Sequence, residues 1–431
     1  MKIAFHTLGC KVNQYETQAM RRLLEQAGYE TAEYQPEQAA SYDGLVINSC
    51  TVTGESDRKL RQLLRRCRRQ APTAVLVLTG CMPQAFPQIA ESFSEADIVL
   101  GNAARRALPH HLERFFASRQ RIVDVPPHEK TIEPLAIEDF AGRTRAFVKI
   151  QDGCNRFCTY CIIPYARGRV RSRAPEDIRQ ELEALAARGY KEAVLVGINL
   201  TAYGQDTGGS IADAVEAACA VPGIARVRLG SLEPDFMTPE ILARLAAQPK
   251  LCPQFHVALQ SGCDATLRRM NRHYDTAAFA ALCDHLRQLF PGCALTTDVM
   301  VGFPGETAEE FADSLAFVQR MAFSRVHVFA YSRRPGTPAD RMPEQIPHAE
   351  KTRRVHAMLA ACGQCAAAYA AGYVGRSAEV LLETPQPDGT VEGHTDTYLT
   401  VRVKTDKPGG VFVTAAITGV DGDILLGQEV L

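Results

Sequence analysis

Residues 143 to about 370 repeat one pattern six times: a short apolar run that predicts a strand, usually followed by an amphipathic stretch that predicts a helix. The candidate strands are Ala146–Gln151, Ala193–Ile198, Arg226–Gly230, Phe255–Gln260, Leu295–Val301 and Arg325–Ala330. Six consecutive β/α units predict a parallel barrel or partial barrel. In such folds the residues that do chemistry lie at the carboxyl ends of the strands.

Three cysteines follow the first candidate strand and therefore lie at this predicted catalytic end. Cys154, Cys158 and Cys161 stand in the run Cys-Asn-Arg-Phe-Cys-Thr-Tyr-Cys. Thiolates this close can converge on one cubane iron–sulfur cluster, and three ligands leave one of its irons open. The spacing differs from the CxxC pairs of zinc ribbons and from the four-cysteine runs of ferredoxins. On the motif alone, a zinc site or a chance spacing of loop cysteines stays an alternative.

The same motif, with Tyr160 directly before its last cysteine, resembles that of radical S-adenosylmethionine enzymes. The resemblance implies that the open iron chelates the methionyl amine and carboxylate of S-adenosylmethionine. The cluster then donates one electron, and the sulfonium splits to give a 5′-deoxyadenosyl radical. Cys154, Cys158 and Cys161 are accordingly the expected cluster ligands and catalytic residues, and Tyr160 is a candidate contact for the cofactor.

Composition narrows the class of protein further. The chain has 431 residues, a length that suggests two to four domains. Its net charge of −1 excludes an overall positive field that would attract nucleic acid. Fourteen cysteines, together with a short polar amino-terminal stretch that does not resemble a signal peptide, indicate a reducing compartment, and we expect the cytoplasm. No run of eighteen apolar residues predicts a membrane span, so we expect no membrane partner.

Three regions and a linker separate along the chain, and the predicted class is α/β. Residues 1–125 alternate apolar strands with amphipathic helices and predict an α/β sandwich domain. Residues 126–142, rich in proline and acidic residues, are the predicted linker. Residues 143–372 form the predicted (β/α)6 partial barrel. Residues 373–431, with β-branched runs between turn residues, predict a small β-barrel.

The amino-terminal region carries a second set of cysteines: Cys10, Cys50 and Cys81. Each lies just beyond a predicted parallel strand, so all three could meet at one edge of the sheet, where open α/β sheets bind ligands. Gly9 and Gly80 directly precede two of them and would let the backbone turn tightly beside a bulky group. From spacing alone, three buried core cysteines explain the pattern equally well.

The three segments around Cys10, Cys50 and Cys81 are followed by the radical motif and a terminal β-barrel. In this order they resemble the methylthiotransferase family of radical S-adenosylmethionine enzymes over essentially the whole chain. The resemblance implies a second [4Fe–4S] cluster, held by Cys10, Cys50 and Cys81, that again keeps one iron open. Met82 departs from the family, which often has an aromatic residue there.

The opening run from Thr7 to Glu16 resembles the branch that acts on N6-threonylcarbamoyladenosine beside the anticodon of tRNA. The branches that modify isopentenyladenosine or a ribosomal-protein aspartate usually show an acid and a serine near Tyr15 and Glu16.

Five further residues stand at successive predicted strand ends and are candidates for binding the cofactor: Gly197, Asn199, Glu233, Gln260 and Gly302. A single glycine is more often an ordinary turn, but recurrence at strand after strand favours a binding role. The run after Val301 also resembles the adenine-contacting turn of radical S-adenosylmethionine enzymes.

Arg167, Arg169, Arg171 and Arg173 alternate directly after the radical motif. In extended backbone they would face one side and suit phosphates or the carboxylate of bound cofactor or substrate, and we select Arg169 as a cofactor contact. A solvated edge, or ion pairs with the first helix, explains the row equally well.

Two places are candidates for contact with RNA. A predicted helix over residues 57–69 carries seven Lys and Arg residues around an apolar stripe, and we select Arg61, Arg65 and Arg68, although a charge run is usually only a solvated face. The terminal barrel resembles a TRAM domain, an OB-like RNA-binding module, and we select Arg402 there. From Tyr373 onward the chain has four Lys and Arg against nine Asp and Glu, so this module alone would not attract phosphate.

The resemblance implies a transferase that methylthiolates carbon 2 of N6-threonylcarbamoyladenosine at position 37 of tRNA. Its cofactors would be two [4Fe–4S] clusters and S-adenosyl-L-methionine, and its partners tRNA and a flavodoxin- or ferredoxin-like electron donor. The alternatives are a methylthiotransferase acting on isopentenyladenosine or a ribosomal-protein aspartate, a radical enzyme with one cluster, and a non-catalytic RNA-binding metalloprotein.

Overall fold

The computed structural model describes residues 1–140 and 144–430, so the predicted boundary at 142/143 and the last residue of the predicted C-terminal domain lie outside it. The first region is a parallel sheet with strand order β2-β1-β3-β4-β5-β6. Its strands are β1 (Lys2–Thr7), β2 (Glu30–Glu33), β3 (Gly44–Ser49), β4 (Val75–Gly80), β5 (Ile98–Leu100) and β6 (Ile122–Asp124). Its helices are α1 (Lys11–Gln26), α2 (Gly54–Gln70), α3 (Cys81–Ala85) and α4 (Leu108–Ser118).

This sheet is covered on both faces because alternate strand residues point to opposite sides. Helix α2 packs its buried stripe onto one face, and α1 and α4 pack onto the other. The stripe consists of Leu60, Leu63, Leu64 and Cys67. Strands β3 and β4 lie in the middle of the sheet and are buried along their whole length, as expected for parallel strands under two helical layers. The predicted α/β sandwich is confirmed.

The next segment begins with β7 (Arg145–Lys149) and then forms a closed loop. The short strands β8 (Gln151–Asp152) and β9 (Arg171–Ser172) pair antiparallel at the neck of this loop, and α5 (Ile163–Arg167) lies inside it. The loop that contains the cysteine run is therefore fixed at both of its ends by strand pairing.

The rest of the barrel region alternates strands and helices. Its strands are β10 (Glu192–Val196), β11 (Arg226–Leu229), β12 (Ser231–Leu232), β13 (Gln254–Val257), β14 (Ala294–Val301) and β15 (Arg325–Ala330). Its helices are α6 (Pro175–Ala187), α7 (Ile211–Cys219), α8 (Pro239–Ala246), α9 (Asp264–Arg269), α10 (Thr276–Leu289), α11 (Ala308–Met321) and α12 (His348–Ala371). The strands pair parallel, in the orders β11-β10-β7 and β12-β13-β14-β15. These elements confirm the six predicted β/α units.

The C-terminal region is a closed five-stranded barrel of order β16-β17-β18-β20-β19. Its strands are β16 (Ser377–Pro385), β17 (Thr390–Thr395), β18 (Thr400–Lys404), β19 (Phe412–Asp421) and β20 (Ile424–Glu429). Alternating aliphatic residues from all five strands fill its interior, which confirms the predicted small β-barrel.

The described chain divides into two compact units. One contains residues 1–140, 151–173 and 332–340, and the other contains residues 144–150, 174–331 and 341–430. Both cysteine triads belong to the first unit, whereas the later strand ends of the barrel belong to the second. The domain boundaries inferred from the sequence stay predictions.

Candidate active site

Three loops converge at the carboxyl edge of the amino-terminal sheet. A Cβ added to Gly9 would lie 2.8 Å from the Cβ of Cys50, so the loop after β1 runs directly against the loop after β3. Gly80 has a φ of +104°, and a Cβ there would lie 2.4 Å from the carbonyl oxygen of Ser49. Only glycine allows this approach, and it holds the loops after β1, β3 and β4 together.

The three cysteines of this edge differ in their surroundings. Cys10 is exposed and precedes the first turn of α1, with its thiol 3.4 Å from the Oδ1 of Asn13. Cys50 and Cys81 are buried. Burial, reinforced by the neighbouring Cys81, raises the pKa of the Cys50 thiol to about 12. In the cluster-free protein this thiol is protonated at neutral pH and must lose its proton to bind iron.

A fully buried arginine lies against Cys81. The Nε–H of Arg167 donates to the Sγ of Cys81 at 3.2 Å, and the Asn102 amide nitrogen lies 3.9 Å from the same sulfur. Burial disfavours the charge of Arg167, but Cys81, Glu16 and Asp152 outweigh it and raise the pKa of the guanidinium well above its ordinary range. The sulfur of Cys81 therefore faces a permanent positive charge in a low-dielectric setting.

Glu16 anchors this arginine. Both of its carboxylate oxygens accept from the Arg167 guanidinium, and it also pairs with Arg105 at 2.5 Å. Glu16 and Arg167 are both completely buried. Arg105 pairs in turn with Glu133 at 3.1 Å, and Asn13 accepts from Arg167 at 2.9 Å. The network links α1 to the end of α5 beneath the cysteines.

The loop between β8 and β9 that carries Cys154, Cys158 and Cys161, which we call the radical loop, folds back on itself. The amide of Cys154 donates to the carbonyl of Gly168 at 3.0 Å, and the amide of Cys161 donates to the carbonyl of Cys158 at 2.9 Å. Gly153 has a φ of +77°, and a Cβ there would lie 1.9 Å from a backbone oxygen. The strand pairing at the neck and these bonds bring the three thiols into one short closed loop, with Cys158 buried and the other two partly exposed.

The described residues 1–140 and 144–430 contain no group of three or more His, Cys, Asp or Glu side chains arranged to hold a single metal ion. Ligands of one zinc ion lie about 2.3 Å from it and so within about 4 Å of one another. A four-iron cluster is wider and keeps its thiolates farther apart, so its fit is judged on donor chemistry.

By that criterion the residues of the sheet edge fit a cluster. Three thiols, a cationic Arg167 beside one of them, and the buried Oδ1 of Asn102 without a partner among the described residues converge there.

Several cofactor candidates lie at strand ends of the second unit. Asn199 is buried and accepts from the Thr201 hydroxyl at 2.9 Å, and that hydroxyl accepts from the Glu233 amide at 3.1 Å. The Glu233 carboxylate pairs with Arg272. Gly197 stands at the same end of β10 and is partly exposed. The ends of the second and third β/α units are thus joined through one hydroxyl.

The next two strand ends are held by unusual backbone. Gln260 has a φ of +67°, and its amide and carbonyl bridge to Asp298 and Met300 at 2.8 Å each. Gly302 has a φ of +71°, and its amide donates to the carboxylate of Glu306 at 2.6 Å. Burial raises the pKa of Glu306. The cofactor roles of Gly197, Asn199, Glu233, Gln260 and Gly302 stay predictions.

The arginine row does not form one face. Arg167 ends a helix, whereas Arg171 and Arg173 are buried beside Asp152 and Tyr15. Arg169 is exposed, and its guanidinium lies 4.9 Å from the ring centroid of Phe157 in the radical loop. The ion pair of Arg167 with α1 matches the alternative of pairing with the first helix. The cofactor roles of Arg169 and Tyr160 stay predictions.

The three arginines of α2 selected for RNA contact already have protein partners. Arg61 lies over the ring of Phe93, and Arg65 pairs with Glu95 at 3.3 Å. Arg68 donates to three backbone carbonyls and pairs with Asp97 at 2.5 Å. Much of the hydrogen-bonding capacity of Arg68 is therefore used within the protein, and contact of these residues with RNA stays a prediction.

In the C-terminal barrel the aromatic residues are engaged with arginines. His394 stacks on Tyr398 at 4.8 Å, and the guanidiniums of Arg228 and Arg145 lie 4.8 and 4.9 Å from the same tyrosine ring. Arg402 lies on β18, with a buried Nε that has no partner among the described residues. A role of Arg402 in binding RNA stays a prediction.

Motif spacing and periodicity did not reveal the roles of Arg167, Glu16, Arg105 and Asn102. The sequence contains part of the signal for these roles. Glu16 ends the run that resembles the N6-threonylcarbamoyladenosine branch, and Arg167 follows Cys161 by six residues. Their pairing joins positions 151 residues apart, which periodicity cannot show.

Two family models match the chain. The radical SAM superfamily model matches residues 148–318, and a model described as an uncharacterized protein family, UPF0004, matches residues 2–101. With the β/α fold and the three-cysteine loop, the first match defines the class of this protein as a radical S-adenosylmethionine enzyme.

Curated relatives define the family. A threonylcarbamoyladenosine tRNA methylthiotransferase MtaB of Bacillus subtilis is 41% identical over 410 residues, which cover 93% of this chain and 90% of the relative. The Thermotoga maritima protein of the same name is 37% identical, over 92% and 90%. A tRNA-2-methylthio-N(6)-dimethylallyladenosine synthase of Clostridium botulinum is 32% identical, over 98% and 96%. The chain belongs to the tRNA methylthiotransferase family, which confirms the family predicted from the sequence.

Solved structures share the fold. A radical S-adenosylmethionine methyltransferase, TsrM from Kitasatospora setae, superposes with a TM-score of 0.59 at 16% identity, over 79% of this chain and 75% of that one. The cobalamin-dependent S-adenosylmethionine radical enzyme OxsB gives a TM-score of 0.54 at 11% identity, over 83% and 56%. At these identities the likeness concerns the fold alone.

Within the described ranges, every helix is too short or too polar to cross a membrane.

Proposed function

We propose that this protein methylthiolates carbon 2 of N6-threonylcarbamoyladenosine at position 37 of tRNA. The observation that carries the proposal is the contact of Arg167 with Cys81 at 3.2 Å. Arg167 follows Cys161 by only six residues, and this supports the proposal that the radical loop and the second cysteine triad serve one site. The choice of substrate nucleoside rests on two relatives that are named for this activity. They are 41% and 37% identical to this chain, whereas the relative named as a dimethylallyladenosine synthase is 32% identical.

The reaction replaces an aromatic C–H with C–S–CH3, and no protein acid or base removes that hydrogen as a proton near neutral pH. When bound, the clusters and S-adenosylmethionine supply the radical and the sulfur-containing group. The chain supplies thiolates in two triads, Cys154, Cys158 and Cys161 in the loop and Cys10, Cys50 and Cys81 at the sheet edge. Arg167 offsets negative charge at Cys81.

Residues at the strand ends of the second unit are proposed to hold the cofactor. Asn199 and Glu233 offer polar side chains on a hydroxyl-linked scaffold, and the positive φ at Gln260 and Gly302 presents backbone groups at the next strand ends. Gly197, a glycine beside Asn199, belongs to this proposed set. In the first unit, Tyr160 directly before the last loop cysteine and the exposed guanidinium of Arg169 over the same loop are proposed as separate cofactor contacts.

The reaction needs an external electron, and we propose a flavodoxin- or ferredoxin-like donor. A tRNA substrate and fourteen cysteines without a disulfide among the described residues support a reducing, cytoplasmic setting.

Nucleoside mass spectrometry of tRNA from a deletion strain tests the function. We expect the methylthio form of N6-threonylcarbamoyladenosine to disappear, to return with the wild-type gene and to stay absent with Cys50→Ala. A strain that keeps this nucleoside while losing methylthio-isopentenyladenosine would assign the other tRNA branch. Loss of neither nucleoside would contradict the proposal.

A further inference from the structure

A groove of about 840 Å³ runs along α2 in the first unit. We call it the basic groove. It is lined by His6, Leu8, Lys59, Gln62, Leu63, Arg65, Arg66, Arg68, Arg69 and Glu95. Half of these side chains are lysine or arginine and one is acidic, in a chain whose net charge is −1. Positive charge is thus concentrated here and is not a property of the whole surface.

Two of these cations have no counter-charge among residues 1–140 and 144–430. Helix α2 carries seven Lys and Arg against two acids. Glu55, Glu95 and Asp97 account for the pairs made by Arg58, Lys59, Arg65 and Arg68. By contrast, Arg66 and Arg69 are exposed and form no ion pair with any residue of the described chain. Burial and the charge of Arg66 also lower the pKa of His6 across the groove.

Three of these cations and one glutamine are arranged in a line. Lys59, Gln62, Arg66 and Arg69 are spaced by three, four and three positions, so they lie on one side of the helix. The line is about 15 Å long at 1.5 Å per residue, a distance over which a strand of a nucleic-acid duplex carries several phosphates. Leu8, which lines the groove, lies two residues before Cys10. The groove therefore reaches the loop after β1 that carries Cys10.

We infer that the basic groove binds the sugar–phosphate backbone of the tRNA substrate, with Arg66 and Arg69 contacting phosphates. The inference rests on the proposed function and adds to it the surface that positions the substrate. Guanidinium forks match phosphate oxygens bidentately, and an unpaired, exposed arginine loses no internal partner on binding. The C-terminal barrel has an acidic balance of four cations to nine acids, so it supplies little of this attraction.

The test is the salt dependence of tRNA binding by the full-length, anaerobically reconstituted protein. The probe is labelled tRNA that carries N6-threonylcarbamoyladenosine, prepared from the deletion strain, and affinity is measured by fluorescence anisotropy between about 0.05 and 0.3 M salt. The variant is Arg66→Gln with Arg69→Gln. The matched control is Arg114→Gln with Arg119→Gln, which removes two exposed charges at α4 on the opposite face of the same sheet.

We expect the groove variant to reduce the slope of log affinity against log salt by about 1.4 to 1.8, and to weaken binding about 25- to 60-fold at 0.1 M salt. The control should change neither by more than a small factor, and Arg66→Lys with Arg69→Lys should retain most of the slope because the charges remain.

Equal loss in the α4 control, or an unchanged slope in the groove variant, would overturn the inference. A wild-type protein that does not bind this tRNA at all would overturn the proposed function with it. Wild-type binding with an unaffected groove variant would overturn the groove alone. Unchanged iron content and thermal midpoint of the groove variant establish that its fold is intact. Should the double variant unfold, the single variants Arg66→Gln and Arg69→Gln decide the question, since each should reduce the slope by about 0.7 to 0.9 if its guanidinium contacts a phosphate.

Discussion

Replacing Arg167 with methionine should destabilise the first unit strongly, even without clusters. The substitution leaves Glu16 fully buried without its ion pair to Arg167, while Arg105 remains at 2.5 Å. Removing one partner of a buried ion pair costs about 3–5 kcal/mol of stability. Because Glu16 keeps its pair with Arg105, we expect a loss near the lower end of this range, about 3 kcal/mol. For a folding unit of this size, that loss lowers the thermal midpoint by about 6–12 °C.

The assay is thermal unfolding of cluster-free protein by circular dichroism or calorimetry, since the chain has no tryptophan. Arg58→Met is the control, because Arg58 pairs with Glu55 on the exposed surface of α2 and its loss should produce no measurable shift. A double substitution, Arg167→Met with Glu16→Gln, should be less harmful than the sum of the two single changes. Equal midpoints for Arg167→Met and Arg58→Met would refute the view of Arg167 as a buried, paired charge.

Three further predictions concern other parts of the chain. Gly80→Ala should destabilise the protein and reduce iron binding, since a Cβ there would lie 2.4 Å from a backbone oxygen, whereas Gly28→Ala, with a similar φ but open space, should cost far less in a thermal melt. Burial, together with Arg171, lowers the pKa of His128 from 6.5 to about 4, so the folded state resists its protonation. Stability that is complete above pH 6.5 should fall by at most about 3 kcal/mol as the pH drops towards 4, and His128→Gln should remove much of this dependence in denaturant titrations. Tyr398→Leu should lower stability by about 1–3 kcal/mol through loss of two cation–π contacts, and a loss of tRNA affinity without a loss of stability would contradict that structural role.

The convergence of the cysteines could be predicted because parallel strands place the loops after them on one edge. Cys10, Cys50 and Cys81 each follow a run that forms a central or near-central strand, and the glycines before two of them indicated a close approach. The apolar stripe of α2 likewise predicted which side of that helix packs on the sheet.

Other features could not be predicted because they depend on tertiary contacts. The row from Arg167 to Arg173 alternates like a strand, but its first member ends a helix, and burial turns three of the four guanidiniums to internal partners. On α2, the sequence shows seven equivalent cations. Only the positions of Glu95 and Asp97, about thirty residues away in sequence, separate the paired Arg68 from the exposed Arg66.

The central claim is that each of the two cysteine triads holds its own cluster, and the iron content of anaerobically reconstituted protein tests it most directly. We predict about eight irons per chain for the wild type, and about four when Cys10, Cys50 and Cys81 are all replaced by alanine. The same replacement of Cys154, Cys158 and Cys161 should also leave about four. Iron content that does not change when Cys10, Cys50 and Cys81 are removed would show that these residues are core cysteines, and it would contradict the account.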